Sequence, residues 1–189
     1  MKVIPTKIEG PVVIEPDIFG DGRGYFFESF SQRRFAEALC NIRFVQDNES
    51  KSRYGVVRGL HYQLPPATQC KLVRVVCGRV LDVAVDIRRN SPTFGQYAAV
   101  ELSGENHRQF FIPRGFAHGF AVLSEEAIFQ YKCDTFYDPE REAGIAYDDP
   151  QIGIDWGLPA EDIVLSEKDR RHPPLSRAFL FDDPQILSR

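Results

Sequence analysis

With 189 residues, the chain is long enough for one domain with a substantial core, since domains average roughly 150 residues. Hydrophobic residues at 43% and charged residues at 26% set it apart from disordered chains, and a net charge of −4 with dispersed Lys and Arg leaves no broad basic face for nucleic acid. No apolar run reaches membrane-spanning length, the first residues are interrupted by Pro5, Glu9, Gly10 and Pro11 where a signal peptide needs an unbroken stretch, and the four cysteines lack the paired spacing of a zinc site or disulfide scaffold, so a reduced, cytoplasmic protein is expected.

Short apolar runs punctuated by Gly and Pro predict strands over Val12 to Pro16, Gly24 to Ser29, Phe44 to Ser50, Val56 to Gln63, Lys71 to Cys77, Val80 to Ile87, Gln96 to Leu102, Gln109 to Ile112, Phe116 to Leu123 and Ala127 to Asp134. Early in the chain only Ser31 to Leu39 reads as helix, with Ser31 as N-cap and Phe35 and Leu39 at i,i+4 spacing. Gly78 and Arg79 read as a hairpin turn, and a short helix is expected to follow the segment LPAEDIVLSEKDR. Many short strands with little helix predict a sandwich or barrel. Strand alternation sets Lys71 with Val73 and Val75 on one face and Phe129 with Tyr131 and Cys133 on one face, while Leu81, Val83, Val85 and Ile87 oppose Asp82, Ala84 and Asp86.

Chemistry concentrates around two of the four histidines. His61 in GLHYQ and His118 in PRGFAHGF lie in apolar or Gly-flanked strand segments, where a solvated imidazole is not expected; the competing reading for each is a core histidine satisfied by one hydrogen bond. His107 and His172 sit in loop-like surroundings and read as solvated. A metal-binding cupin barrel wants a His-x-His pair, a Glu and a later His, but Gln63 stands two after His61, which turns the reading from a metal toward acid and base catalysis. Arg58, Lys71 and Arg114 lie near these histidines in sequence. Arg58 and His61 have opposite parity in a regular strand, so aiming both at one ligand requires a twist or bulge, for which Gly59 is the available position. Asp169 in SEKDR is a candidate carboxylate to orient His61, its alternative being a solvated helix charge.

The segments GDGRGYFFESF, FVQDNESKSRYGVVRGLHYQ, QCKLVRVVCGRVLDVAVDIRRNSPTFGQ, FFIPRGFAHGFAVLSEEA and DDPQIGIDW with LSEKD, in that order, resemble the dTDP-4-dehydrorhamnose 3,5-epimerase family over nearly the whole chain. The resemblance implies an all-β, cupin-like jelly-roll barrel with short peripheral helices, a single epimerase domain over 1–189 with a C-terminal helical segment, and a homodimer. It implies an isomerase that inverts C3 and C5 of a dTDP-linked 4-keto-6-deoxyhexose without metal or other cofactor. By motif, His61 would be the general base, Asp169 its orienting partner, Tyr131 the acid on the opposite ring face and Lys71 the stabiliser of the oxyanion. Arg23, Glu28, Gln46, Asp47, Asn48, Arg58, His118, Tyr137, Glu142 and Lys168 would bind substrate, with Arg23 and Arg58 suited to the diphosphate, Tyr137 to stacking on thymine, and the segment of Arg23 and Glu28 crossing into the partner's site. The rivals are a relative that inverts one centre only, a barrel that binds nucleotide sugars without catalysis, and a metal enzyme.

Overall fold

The computed structural model describes residues 1–182, so the last seven residues of the expected 1–189 domain lie outside the described part. In chain order the strands are β1 (Lys2–Pro5), β2 (Val12–Glu15), β3 (Phe19–Asp21), β4 (Gly24–Phe26), β5 (Gln46–Arg53), β6 (Val57–Gln63), β7 (Lys71–Cys77), β8 (Arg79–Asp86), β9 (Tyr97–Ser103), β10 (Gln109–Ile112), β11 (Phe116–Val122), β12 (Glu126–Cys133) and β13 (Glu142–Gly144), with helix α1 (Gln32–Ala38) between β4 and β5. Each of the ten predicted runs overlaps a strand; β1, β3 and β13 were not foreseen, being three or four residues long without clear alternation. Helix α1 starts where expected, Ser31 accepting a hydrogen bond from the Arg34 amide, and buries Phe35. The predicted C-terminal helix is instead a set of single 3-10 turns at Ala160–Asp162, Asp169–Arg171 and Leu175–Arg177, and Pro173 and Pro174 bar the second of them from continuing.

The strands form a six-stranded sheet, β1-β2-β10-β7-β12-β5, facing a five-stranded sheet, β13-β6-β11-β8-β9, with β3 and β4 as a separate ribbon. Every pairing between these strands is antiparallel. The fold is therefore the all-β jelly roll expected, but the two sheets are not hydrogen-bonded into a closed barrel. Between them pack Val73, Val75, Phe110, Ile112 and Phe129 from one side and Val80, Ala84, Phe120 and Val122 from the other. Helix α1 covers the outer face of the first sheet through Phe35 against Leu72, Phe111 and Ile14. The outer face of the second sheet, Val57, Leu60, Val83, Val85 and Ile87, is covered by the C-terminal segment through Ile145, Ile152, Trp156, Leu175 and Phe181. At about 1.5–3 kcal/mol for each fully buried large apolar side chain, this third layer is a principal source of stability.

The turn expected at Gly78 takes a different form. Gly78 does not close a hairpin, since β7 pairs with β10 and β12 whereas β8 pairs with β11 and β9. One residue is too short for a two-residue hairpin turn; Gly78, at φ +80, is a corner where the chain passes from one sheet to the other. The alternation expected along β8 holds: Leu81, Val83, Val85 and Ile87 face the C-terminal layer, so Asp82 and Ala84 turn toward the space between the sheets.

Candidate active site

The hydrophobic filling between the sheets stops short of one end, leaving a cavity of about 430 Å³. His61 and Arg58 on β6 and His118 on β11 line the wall of the five-stranded sheet; Lys71 on β7, Tyr131 and Cys133 on β12 and Gln46 and Asn48 on β5 line the opposite wall. Register explains the convergence. His61 pairs with His118, Lys71 with Cys133, and Tyr131 with Asn48, so the three strand pairs turn these side chains inward at one level of the sandwich. The bulge required by Arg58 and His61 is present: the β6–β11 register shifts between His118 and Phe120, and Gly59, at φ +132, lies so close to Gly119 that a Cβ would come within 2.6 Å of its Cα. Both side chains consequently reach the cavity, with the Arg58 guanidinium donating to Ser52 Oγ at 3.1 and 3.2 Å.

His61 Nε2 lies 2.5 Å from Asp169 Oδ1, and Asp169, nearly fully buried, also accepts from Ser166 Oγ at 2.7 Å. Burial pushes the Asp169 carboxyl up, but His172, His61 and Ser166 together hold it well below the usual carboxylate range, so it is ionised and His61 Nε2–H donates to it. That bond fixes the tautomer and leaves Nδ1 as the basic nitrogen. Burial raises the pKa of Tyr131, which keeps the phenol protonated as an acid should be. Burial lowers the pKa of Lys71, opposed by the charges of Cys133, Asp82 and Glu142.

Sequence reasoning overlooked Asp82. It is fully buried, and His118 Nε2 is 3.1 Å from each of its oxygens. Burial pushes the Asp82 carboxyl up and the His118 imidazole down, while their mutual attraction and Lys71 work against the shift on Asp82. The available signal was its parity opposite an apolar face that the C-terminal segment would cover. His172, read as solvated, is instead packed beside His61 and 3.4 Å from Asp169. His107 is half-buried in a loop, its ring 4.5 Å from that of the exposed Tyr25.

At the mouth, the Tyr137 hydroxyl donates to Glu142, and Lys168 forms an ion pair with the same carboxylate. The bond to Glu142 pushes the Tyr137 phenol up to about 12, and Lys168 and Tyr137 hold Glu142 down against the effect of its burial. Gln46 accepts from the Tyr137 amide and donates to Asn48 Oδ1, both at 2.9 Å, tying the mouth to β5. Three residues expected to bind substrate lie outside this cavity. Asp47, turned out by alternation along β5, pairs with Lys132 at 2.9 Å and lines a separate depression. Arg23 is exposed at the tip of the β3–β4 ribbon and paired with Asp21, while Glu28 pairs with Arg34 at 3.4 Å.

Donor atoms of His61, Asp169 and His172 lie within 4.8 Å of one another. The 2.5 Å separation of His61 from Asp169 is that of a direct hydrogen bond, with no space for an ion between those two donors.

A depression holding an imidazole–carboxylate pair and a protonated phenol on facing walls, with an ammonium group beside them, can remove a proton from one face of a bound molecule and return one to the other. Comparison with known proteins agrees. The chain is 56% identical over 170 residues to the dTDP-4-dehydrorhamnose 3,5-epimerase of Shigella flexneri, covering 89% of this chain and 93% of that one. It is 53% identical over 175 residues to the enzyme of the same name from Methanothermobacter thermautotrophicus, covering 92% and 94%. A crystal structure of dTDP-6-deoxy-D-glucose-3,5-epimerase from Legionella pneumophila, in complex with dTDP-4-keto-L-rhamnose, superposes with a TM-score of 0.90 at 54% identity, covering 98% and 96%. The family description dTDP-4-dehydrorhamnose 3,5-epimerase matches residues 5–177, and the chain belongs to that family.

Proposed function

We propose that this chain is an isomerase converting dTDP-4-dehydro-6-deoxy-D-glucose to dTDP-4-dehydro-L-rhamnose by proton removal and return at C3 and C5, without a metal. The supporting observation is the cavity shared by His61 and Tyr131, one on each sheet. A hydrogen beside a ketone becomes removable only when the enolate is stabilised, and inversion requires reprotonation from the other ring face. In this reading His61 Nδ1 takes the proton from the carbon and Asp169 holds the imidazolium that forms. The electron pair moves to O4, where the Lys71 ammonium meets the developing charge in a water-poor site. Tyr131 then protonates the opposite face of the carbon; His61 gives its proton to water, the Tyr131 phenolate takes one from water, and with both groups reset the second centre follows by the same sequence. His118, held by Asp82, Arg58, Gln46, Asn48, Tyr137, Glu142 and Lys168 bind sugar, diphosphate and base.

The working unit in this reading is a homodimer in which Arg23 and Glu28 serve a neighbouring site. Its support is that both residues lie away from the cavity of their own chain, on or beside a ribbon exposing Phe19, Tyr25 and Phe26. A cytoplasmic location is supported by the four free cysteines; separately, no described helix is long and apolar enough to cross a membrane.

The decisive experiment is NMR of the dTDP-4-keto-6-deoxyglucose reaction in deuterated water, with a reductase trapping the L-sugar. Deuterium is expected at both C3 and C5. Incorporation at one carbon alone would replace the double epimerase with a single-centre relative, and ligand binding without exchange would favour a non-catalytic barrel.

A further inference from the structure

Asp169 and His172 stand three residues apart at the two ends of one 3-10 turn, where i and i+3 side chains eclipse. His172 Nε2 therefore comes 3.4 Å from Asp169 Oδ1, the oxygen that already takes the hydrogen bond from His61. The approach is within ion-pair distance but not aligned as a hydrogen bond, and His172 Nε2 is the one buried side-chain polar atom among the described residues with no hydrogen-bond partner. Its ring meets the His61 ring edge-on, centroids 5.4 Å apart at 76°.

Beneath the ring lies Gly144, the residue paired with His61 across β13 and β6. A Cβ at Gly144 would come within 2.5 to 2.6 Å of three atoms of the His172 imidazole, so the backbone is bare where the ring rests. Apolar packing alone would be served by a leucine, which buries no unpartnered nitrogen. Instead a seat without a side chain holds an imidazole whose free nitrogen is nearest the carboxylate that orients His61.

We propose that His172 is a positioning residue for the reaction: it provides a second imidazole hold on Asp169 Oδ1, opposite the Ser166 hold on Oδ2, and keeps the carboxylate aimed at His61 while the His61 bond lengthens and shortens during turnover. It acts through Asp169 and touches no substrate. The inference rests on His61 being the base.

The test compares full-length His172→Phe, which keeps a ring but no N–H, with His172→Gln, which keeps an N–H donor on a different shape. In the Phe variant kcat falls about tenfold, as when an outer partner of a functional imidazole is removed, while KM and thermal midpoint stay near wild type. The Gln variant recovers kcat to within about threefold of wild type. Wild-type kcat in the Phe variant would overturn the proposal. So would an equal kcat loss in both variants, which would make the ring shape and not the nitrogen the cause. If the Phe variant does not fold, His172→Leu takes its place in the same comparison. His61→Asn is the control: full activity there would remove the base assignment itself, an outcome separable from any result at His172.

Discussion

Burial alone would lift the Asp169 carboxyl, yet its hydrogen-bonding neighbours hold it well below its ordinary 3.8. A carboxylate depressed in the folded state contributes stability that is fully present above its unfolded pKa and is lost as pH falls through the folded value. Asp169→Asn is therefore expected to cost about 1–3 kcal/mol at neutral pH and to flatten the decline of stability into the acid range. Urea unfolding at a series of pH values checks this; an acid slope as steep as that of wild type would remove Asp169 from the account. Lys71 behaves in the opposite sense. Burial lowers its pKa below the ordinary 10.5, so its charge, and the oxyanion stabilisation assigned to it, disappear as pH rises through that lowered value. Burial moves Tyr131 upward, so the phenol keeps its proton to higher pH and Lys71 is expected to set the start of the alkaline limb. Lys71→Arg, whose guanidinium stays charged, should lower kcat but move that limb to higher pH in the pH–rate profile; an unmoved limb would assign it to another group.

Strand β6 shows how an element converts local sequence into site geometry. Its alternation was readable, and so was the conflict between Arg58 and His61 with Gly59 between them. The relief of that conflict was not readable, because it depends on Gly119 of β11 lying against Gly59. Gly59→Ala would require φ +132 from an alanine and set a Cβ against Gly119. A loss of about 2–4 kcal/mol is expected, with activity falling because Arg58 and His61 no longer share the cavity. Thermal melts and steady-state kinetics on the same preparation test this, and a stable, fully active variant would show that the bulge is not what aims the two side chains. The Gly78 corner makes the same point from the other side: a glycine between two strand-like runs looks like a hairpin locally, and only the pairing of β7 and β8 in different sheets reveals a crossing.

For the whole molecule, the central prediction concerns assembly. Arg23→Ala is expected to raise KM about tenfold with little change in kcat, as removal of a guanidinium that binds phosphate in a neighbouring site would. Phe26→Asp, at a residue 71% exposed in the single chain, should shift the protein from dimer to monomer in light scattering. A wild-type monomer with full activity would end the dimer reading. By itself the sequence determined ten of the thirteen strands, the α1 helix with its Ser31 cap, the inward parity of Lys71, Tyr131 and Cys133, and the family, since these rest on periodicity and on residues close together in the chain. Tertiary structure alone decided that Asp82 stands behind His118, that His172 leaves solvent to join Asp169, that Asp47 turns away from the cavity, and that the sheets remain unclosed. Those outcomes depend on which face each neighbouring layer covers and on registers between strands far apart in the chain, and neither is written in local alternation.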